Sequence, residues 1–312
     1  MKYIKDYRDG DRISDIYLCK TKHSALTRNG KAYDNVSLLD KTGTIDAKVW
    51  EPNSAGIEDY DALDYIEVVG DVTTFNGALQ VNIKRIRKCR EGEYDPSDYM
   101  PTTPFDVDEM WKELTGIIAS VENDYLHRLL DSFFGNEEFA RAFRFSSAAK
   151  SIHHSFVGGL LQHTLSVTRI CDFLASKYYR INRDLLITAA ICHDIGKVRE
   201  ISAYPQNDYT DAGQYLGHIV IGVEMIGDAI RGIDGFPTAL EQELKHCILS
   251  HHGEYEFGSP KKPAIIEAVA LNYADNTDAK LEAFTELLEN SNESGWMGFS
   301  RIFDSNVHRT EV

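Results

Sequence analysis

The sequence is poor in cysteine and proline and has no long apolar run, and each shortage excludes a class of protein. Its 5 cysteines among 312 residues are scattered and form no CxxC pair, so we expect neither a disulfide framework nor a cysteine zinc site. With only 8 prolines and 43% hydrophobic residues, the chain is neither disordered nor fibrous. No apolar run approaches the roughly 18 residues that cross a bilayer, so no membrane partner is expected.

Positive charge is also scarce, because 33 Lys and Arg face 49 Asp and Glu. Residues 1–90 hold 15 basic and 14 acidic residues, which leaves 18 and 35 for residues 91–312. Such an acidic second part repels a polyanion at long range, so only local features can favour nucleic acid. The N-terminus lacks the apolar core of a signal peptide, and a cytoplasmic location is therefore expected.

The first part of the chain has the pattern of a small β-barrel. Five short strands are predicted, at residues 16–18, 36–39, 45–50, 65–69 and 79–83. Turn pairs such as Asn29-Gly30 and Asn76-Gly77 separate them. Residues 52–60 are predicted to form a short helical connection between the third and fourth strands. This order suits the OB-fold, a five-stranded Greek-key barrel that usually binds oligonucleotides or oligosaccharides.

Basic and aromatic residues of this barrel are candidate nucleic-acid contacts. The last strand runs into a basic segment that could hold a phosphate backbone, and it contains Lys84, Arg85, Arg87, Lys88 and Arg90. The same pattern also protects an edge strand from aggregation, and both interpretations stay open. Trp50 and Phe75, together with Tyr33, are candidates for stacking on bases, with a place in the core as the alternative.

Beyond a proline-containing acidic segment, the periodicity becomes helical and no further strand is expected. We therefore predict a two-domain protein, β followed by all-α. The predicted divisions are a nucleic-acid-binding OB-fold at 1–90, a linker at 91–106, a helical domain at 107–290 and a C-terminal tail at 291–312. The length agrees with about two domains.

Histidines and aspartates recur at the ends of apolar helical segments. They are His163 within 156–178, His193-Asp194 after 185–192, His218 in 216–230, His251-His252 after 238–250, and Asp275 within 264–288. A carboxylate on a buried helix end needs a partner, because an uncompensated charge there is costly. Each residue alone has an ordinary structural explanation. Together they supply imidazole and carboxylate ligands for one or two transition-metal ions.

The text around these residues resembles a known family. The segments GGLLQHT (158–164), HDIGK (193–197), SHHG (250–253) and DNTDAK (275–280) are similar to the HD superfamily of metal-dependent phosphohydrolases. Within it they resemble the YhaM-type 3'-to-5' exoribonucleases, in which an OB-fold precedes the HD domain. Related cyclic-dinucleotide phosphodiesterases carry a GYP tripeptide after the two histidines. Here that stretch is EYEFGSP (254–260), which disfavours their function.

The resemblance implies a role for each matching residue. The implied metal ligands are His163, His193, Asp194, His218, His251 and Asp275, with His252 as an additional ligand. Asp194 is the expected bridge between two ions, and Lys197 is expected to contact the scissile phosphate, with a solvated surface lysine as the alternative. Asp278 is expected to orient a ligand imidazole. His153 and His154 either hold substrate phosphate or cap a helix.

These expectations describe a metal-dependent 3'-to-5' exonuclease that hydrolyses single-stranded RNA, and single-stranded DNA as a further candidate, to nucleoside 5'-monophosphates. The resemblance favours Mn²⁺, and His/Asp ligation also suits Fe, Co or Zn. A phosphohydrolase of free or signalling nucleotides with a regulatory OB domain is the alternative. A nucleic-acid-binding protein with a structural metal is a third hypothesis. A homo-oligomer is compatible with each of them.

Overall fold

The chain divides into two compact units, which are described separately. One unit contains residues 1–104 and 202–208, and the other contains residues 105–201 and 209–312. The computed structural model describes residues 2–27, 29–75, 77–95, 98–149, 156–289, 291 and 294–310. None of the helices in these ranges has the length and apolar character needed to cross a membrane.

The first unit is a closed five-stranded barrel, as the strand pattern predicted. Its strands are β1 (Arg12–Leu26), β2 (Ala32–Asp40), β3 (Gly43–Val49), β4 (Tyr65–Phe75) and β5 (Ala78–Lys88). They pair in the order β1-β2-β3-β5-β4, and β1 closes the barrel by pairing antiparallel with β4. The one parallel pair among these strands joins β3 to β5. This is OB-fold topology, and the expected fold of the first unit is confirmed.

Two connections of the barrel differ from the sequence expectation. Residues 52–60 were predicted as a short helix, but they form turns and an isolated β-bridge between Ile57 and Ile86. In the segment expected as a linker, the rings of Tyr94 and Tyr65 stack with centroids 3.7 Å apart, and Tyr99 meets Tyr65 edge-on at 5.1 Å. The segment before residue 105 thus packs as part of the first unit.

The second unit is helical, which confirms the expected β-then-α order. Its helices are α1 (Val107–Ala119), α2 (Asp124–Phe134), α3 (Glu137–Phe145), α4 (Gly159–Lys177), α5 (Arg183–Cys192), α6 (Lys197–Glu200), α7 (Asp211–Arg231), α8 (Thr238–Ser250) and α9 (Ile266–Glu289). Side chains of Asp106, Asn123, Asn136, Asn182 and Thr210 cap the N-termini of α1, α2, α3, α5 and α7. Helix α5 is buried from Leu185 to Cys192, so it runs through the centre of the unit.

The expectation that no strand follows the helices was wrong. Strands β6 (Trp296–Ser300) and β7 (Ser305–His308) pair as an antiparallel hairpin in the stretch expected as a tail. The register shifts between Trp296 and Gly298, and Gly298 has a φ of 91°. This bulge interrupts the alternation of apolar and polar residues, which is the signal that would have revealed the strand.

Candidate metal centre and catalytic pocket

The turn after α5 carries the His-Asp pair into the middle of the helical unit. Because α5 is apolar on every side, it is buried along its length, and His193 and Asp194 at its end are only 0% and 2% exposed. A Cβ atom on Gly196 would lie 2.0 Å from the carbonyl oxygen of His218, so no side chain fits there. Gly196 therefore allows α7, which carries His218, to approach Asp194 closely.

A second tight turn positions the two adjacent histidines. Helix α8 ends at Ser250 with His251 as its C-cap, and Gly253 takes a φ of 80°, which favours glycine. The Asn272 side chain of α9 donates a hydrogen bond of 2.7 Å to the carbonyl oxygen of His251. This contact fixes the turn against the helix that also carries Asp275.

The structure brings the predicted ligands together in two groups. His163, His193 and Asp275 form one group, and His218, His251 and His252 form the other, each with its donor atoms within 4.8 Å of one another. In the first group, His163 Nε2 lies 3.2 Å from His193 Nε2 and 3.1 Å from Asp275 Oδ1.

Asp194 lies between the two groups. Its Oδ2 is 3.5 Å from His163 Nε2 and 3.4 Å from His193 Nε2, on the side of the first group. Its Oδ1 is 3.3 Å from His218 Nε2 and 3.8 Å from His251 Nε2, on the side of the second. One carboxylate thus faces both groups, which is the arrangement expected of a bridging ligand.

Hydrogen bonds on the far side of each ring turn the Nε2 atoms toward Asp194. The Nδ1 atoms of His193 and His251 lie 2.7 Å from the carbonyl oxygens of Ala190 and Ile248, respectively, and must donate to them. In a neutral imidazole the Nε2 atom then carries a lone pair. The backbone therefore selects the tautomer that binds a cation.

Three buried polar atoms at the centre have no hydrogen-bond partner within the described residues: Asp194 Oδ1, His218 Nε2 and His251 Nε2. When Nε2 carries a lone pair, it and the carboxylate oxygen are both hydrogen-bond acceptors, so neither can donate to the other. Burial of such unpaired polar atoms costs free energy of folding. A cation resolves this contact, because all three atoms can be its ligands. The residues present thus fit a transition-metal site, and oxygen and imidazole donors are the ligand types such ions take.

Two buried carboxylates hold the rings of His163 and His218. Asp278 Oδ2 lies 2.7 Å from His163 Nδ1, where the sequence placed an orienting residue, and Ser166 donates a hydrogen bond to Asp278. Glu200 Oε1 lies 3.1 Å from His218 Nδ1 and accepts a 2.9 Å hydrogen bond from the backbone N–H of His218. Glu200 was not among the predicted site residues. The signal was that each ligand imidazole needs a partner for its second nitrogen.

The ionisation of these groups follows from burial and from their partners. Burial opposes a charge on His163, yet Asp275 and Asp278 raise its pKa to about 10. Burial likewise opposes ionisation of Asp194, but Lys197 and His193 keep its pKa well below the ordinary value. Burial and the neighbouring His252 lower the pKa of His251. His251 is therefore a neutral imidazole beside an ionised carboxylate.

A cavity of about 490 Å³ opens beside the two groups. It is lined by Ala148, Ala149, His163, Lys197, His252, Gly253, Glu254, Phe257, Asn272, Tyr273, Asp275, Asn276 and Ala279. Lys197, the first residue of α6, lies with its Nζ 2.7 Å from Asp194 Oδ2. Burial opposes its charge, but Asp194 raises the pKa of Lys197, so an ammonium group faces the cavity.

The candidate nucleic-acid contacts of the barrel have a mixed outcome. Within the basic segment, three side chains form ion pairs: Lys84 with Asp71, Arg87 with Glu67 and Glu93, and Lys88 with Asp64. Arg85 is exposed. Phe75 is 62% exposed at the β4–β5 turn, and Trp50 is 49% exposed. The predicted contacts His153 and His154 lie outside the described residues.

Half-buried Tyr33 of β2 and exposed Trp50, the residue directly after β3, form an aromatic pair on the barrel. Trp50 stacks on Tyr33 with ring centroids 5.5 Å apart, and its Nε1 donates a 3.1 Å hydrogen bond to Asn82 on β5. The ammonium of Lys48 lies 5.4 Å from the Tyr33 ring. The core alternative considered for these aromatics thus does not describe Trp50.

Comparisons with known proteins agree with this geometry. Residues 160–280 match the HD domain family. The 3'-5' exoribonuclease YhaM of Geobacillus sp. (strain WCH70) is 35% identical over 291 residues, which cover 92% of this chain and 88% of that protein. The protein of the same name from Bacillus velezensis (strain DSM 23117 / BGSC 10A6 / LMG 26770 / FZB42) is also 35% identical, over 92% of this chain and 91% of that protein.

Solved structures match the barrel. The second OB-fold domain of replication protein A from Methanococcus maripaludis is 17% identical, covers 30% of this chain and 98% of that chain, and has a TM-score of 0.23. A replication protein A heterotrimer bound to ssDNA is 18% identical, covers 28% of this chain and 65% of that chain, and has a TM-score of 0.21. On the two relatives aligned over most of its length, the chain belongs to the family of YhaM 3'-5' exoribonucleases.

Proposed function

We propose that this protein hydrolyses single-stranded RNA from its 3' end and releases nucleoside 5'-monophosphates. The reaction would use one or two divalent metal ions, with Mn²⁺ as the favoured metal and Fe, Co or Zn as alternatives. The observation that carries the proposal is the set of three unpartnered buried atoms on Asp194, His218 and His251, which lie beside a cavity of about 490 Å³ in the described part of the chain. That volume lies within the range of small-molecule sites and suits one nucleotide. Single-stranded DNA is a second substrate of the same chemistry.

The proposed ligands divide between the two groups. His163, His193 and Asp275 would hold one ion, and His218, His251 and His252 would hold a second, with Asp194 as a ligand available to both groups. A divalent cation supplies Lewis-acid stabilisation of the phosphoryl oxygens and makes water acidic enough to attack at neutral pH. Asp278 and Glu200 keep two of the ligand rings in place through Nδ1.

The residues of the chain also handle the substrate phosphate. Water attacks the phosphorus of the terminal nucleotide, and the bond from phosphorus to the 3' oxygen of the preceding nucleotide breaks. That oxygen leaves as the new 3' hydroxyl once it gains a proton. The Lys197 ammonium lines the cavity and binds a phosphoryl oxygen, where its charge offsets the charge that develops.

On the barrel, we propose that aromatic side chains contribute more to RNA binding than the basic segment does. Trp50 offers an exposed ring, stacked on the half-buried Tyr33, to which a base can be added, and Phe75 offers a second exposed ring. Arg85 is the proposed phosphate contact of the basic segment, because Lys84, Arg87 and Lys88 already face carboxylates.

A time course with 5'-labelled single-stranded RNA tests the function. We expect a ladder that shortens from the 3' end with Mn²⁺ and stops with EDTA, and 5'-monophosphates as the products by chromatography. Asp194→Asn should abolish the ladder, since it removes the charge that both groups face. The matched control Asp131→Asn changes an exposed aspartate on α2 and should leave the rate unchanged.

Intact RNA with each of several divalent metals would overturn the proposal. Turnover of free nucleotides by the same preparation would then support the alternative phosphohydrolase, and its persistence after deletion of residues 1–90 would assign the barrel a regulatory role. Cleavage inside the RNA, or products with 3' phosphates, would contradict the proposed direction and bond.

A further inference from the structure

An apolar groove of about 310 Å³ adjoins the catalytic cavity on the helical unit. It is lined by Leu174, Tyr178, Ile181, Ile266, Val269, Ala270 and Tyr273. Tyr273 also lines the catalytic cavity, so the two depressions share a wall. The groove is therefore continuous with the place where the 3'-terminal nucleotide is proposed to bind.

One face of α9 runs the length of both depressions. Ile266, Val269, Ala270 and Tyr273 line the groove, and Tyr273, Asn276 and Ala279 continue into the cavity. At 1.5 Å per residue, the helix from Ile266 to Tyr273 spans about 10 Å, the length of about three stacked bases. A strand whose end occupies the cavity would leave it along this helix face.

The groove offers aromatic rings that are open to solvent. Tyr178 is 58% exposed and Tyr273 is 65% exposed. Neither ring belongs to the hydrophobic core, which contains Ala270 of the groove and against which Leu174 and Ile181 pack. Exposed tyrosines over an apolar floor match the flat faces of nucleobases, which stack on aromatic rings without regard to sequence.

Two basic residues are close neighbours of Tyr178 in the chain. Lys177 and Arg180 lie on either side of Tyr178-Tyr179 in the chain, and in the described ranges neither forms an ion pair with a carboxylate; their charges instead lie over the rings of Phe173 and Tyr179. The basic segment of the barrel differs, since most of its charges are paired. A cation without a carboxylate partner remains available to a phosphate backbone.

We propose that this groove binds the bases that precede the 3'-terminal nucleotide of single-stranded RNA, with Tyr178 as a stacking residue and Lys177 and Arg180 near the backbone. The inference rests on the proposed function and adds a second RNA surface, on the helical unit itself. It gives the enzyme a hold on the strand at the catalytic cavity, independent of the barrel.

Abasic scanning in the full-length protein tests the proposal. An eight-nucleotide RNA is prepared with a single abasic site at each of the three positions before the terminal nucleotide, and kcat/KM is measured for each. In the wild type we expect a loss on the order of tenfold at one or more of these positions. Tyr178→Ala should lower kcat/KM for intact RNA by a similar factor and should then be insensitive to the same abasic site. Tyr178→Phe retains the ring and should behave as the wild type.

Controls separate stacking from general damage. Trp296→Ala removes an exposed aromatic that lines neither depression and should change neither intact nor abasic hydrolysis. The dissociation constant of the same RNAs, measured by fluorescence anisotropy in EDTA, repeats the comparison without hydrolysis. Equal effects of Tyr178→Ala on intact and abasic RNA, or no effect on either, would overturn the proposal and leave the groove to an apolar protein partner. A wild type that binds RNA with this abasic pattern but does not degrade it would contradict the proposed function and support the groove.

Discussion

The basic segment of the barrel and the histidine cluster of the helical unit were both singled out by the sequence, and the structure treats their charges in opposite ways. On the barrel, Arg87 lies 2.8 Å from Glu67 and Lys88 lies 2.7 Å from Asp64. In the helical unit, Asp194 Oδ1 and the Nε2 atoms of two histidines find no hydrogen-bond partner among the residues described. Basic side chains that are already paired within the protein are weak evidence for a ligand, whereas three buried polar atoms that converge without a partner are stronger evidence for one.

The largest effect should come from the cluster itself. His251→Ala removes a fully buried imidazole that faces Asp194. Loss of a residue that only supports a metal ligand lowers metal affinity or activity by about 10- to 100-fold, so we expect loss of a proposed ligand to lower activity by more than about 100-fold. Isothermal titration with Mn²⁺ measures the accompanying loss of metal binding. If this variant binds Mn²⁺ as tightly as the wild type and retains full activity, His251 is not a metal ligand.

A smaller effect is expected from Glu200, which contacts only a ligand. Glu200→Ala frees the ring of His218, and we expect metal affinity to fall by about 10- to 100-fold. Glu200→Gln keeps an oxygen acceptor for the ring and for the backbone N–H, so its effect should be smaller. The thermal unfolding of both metal-free variants separates positioning from lost stability. If the Glu200→Ala variant is as stable as the wild type and binds metal with the same affinity, the positioning role is contradicted.

On the barrel, an aromatic should matter more than the paired cations. Trp50→Ala removes the exposed ring of the Trp50–Tyr33 stack, and we expect RNA to bind about tenfold more weakly, within the range for one stacked base. Leu26→Ala, also exposed on the barrel, is the control in the same anisotropy measurement. Unchanged affinity in Trp50→Ala would move the RNA surface elsewhere.

The smallest effect should come from the basic segment. Arg87→Ala breaks solvent-exposed pairs with Glu67 and Glu93, so we expect little change in the free energy of unfolding. RNA affinity should change by less than about threefold. The dependence of RNA affinity on salt concentration is the sharper measurement, because loss of a true phosphate contact lowers its slope by about 1. A lowered slope would restore Arg87 as a nucleic-acid contact.

Local periodicity explains which parts of the fold were predictable. A strand with alternating burial such as β4 and a helix as apolar as α5 can be recognised in the sequence because each pattern lies within one element. The β6–β7 hairpin was missed because its bulge breaks that pattern. The pairing of Arg87 with Glu67 was missed for another reason: the two residues are opposite each other in the β4–β5 register, which only strand pairing establishes.

The same distinction applies to the candidate site. Histidine and aspartate at the ends of apolar helices predicted the ligand types, since buried carboxylates need partners. No sequence pattern identified Glu200, because its role depends on its contact with His218, which lies 18 residues later in the chain. Tyr178 and Tyr273 were likewise ordinary helical residues until packing set them around one groove.

By itself, the sequence determined the local elements, the residue types of the metal centre and the family to which they belong. Tertiary structure alone decided which atoms meet. Residues as distant in the chain as His163 and Asp275 come within 3.1 Å because α4 and α9 pack on the buried α5, and Asp194 faces both groups because Gly196 lets α7 approach. The physical reason is that periodicity is a property of neighbours in the chain, whereas an unsatisfied buried atom is a property of neighbours in space.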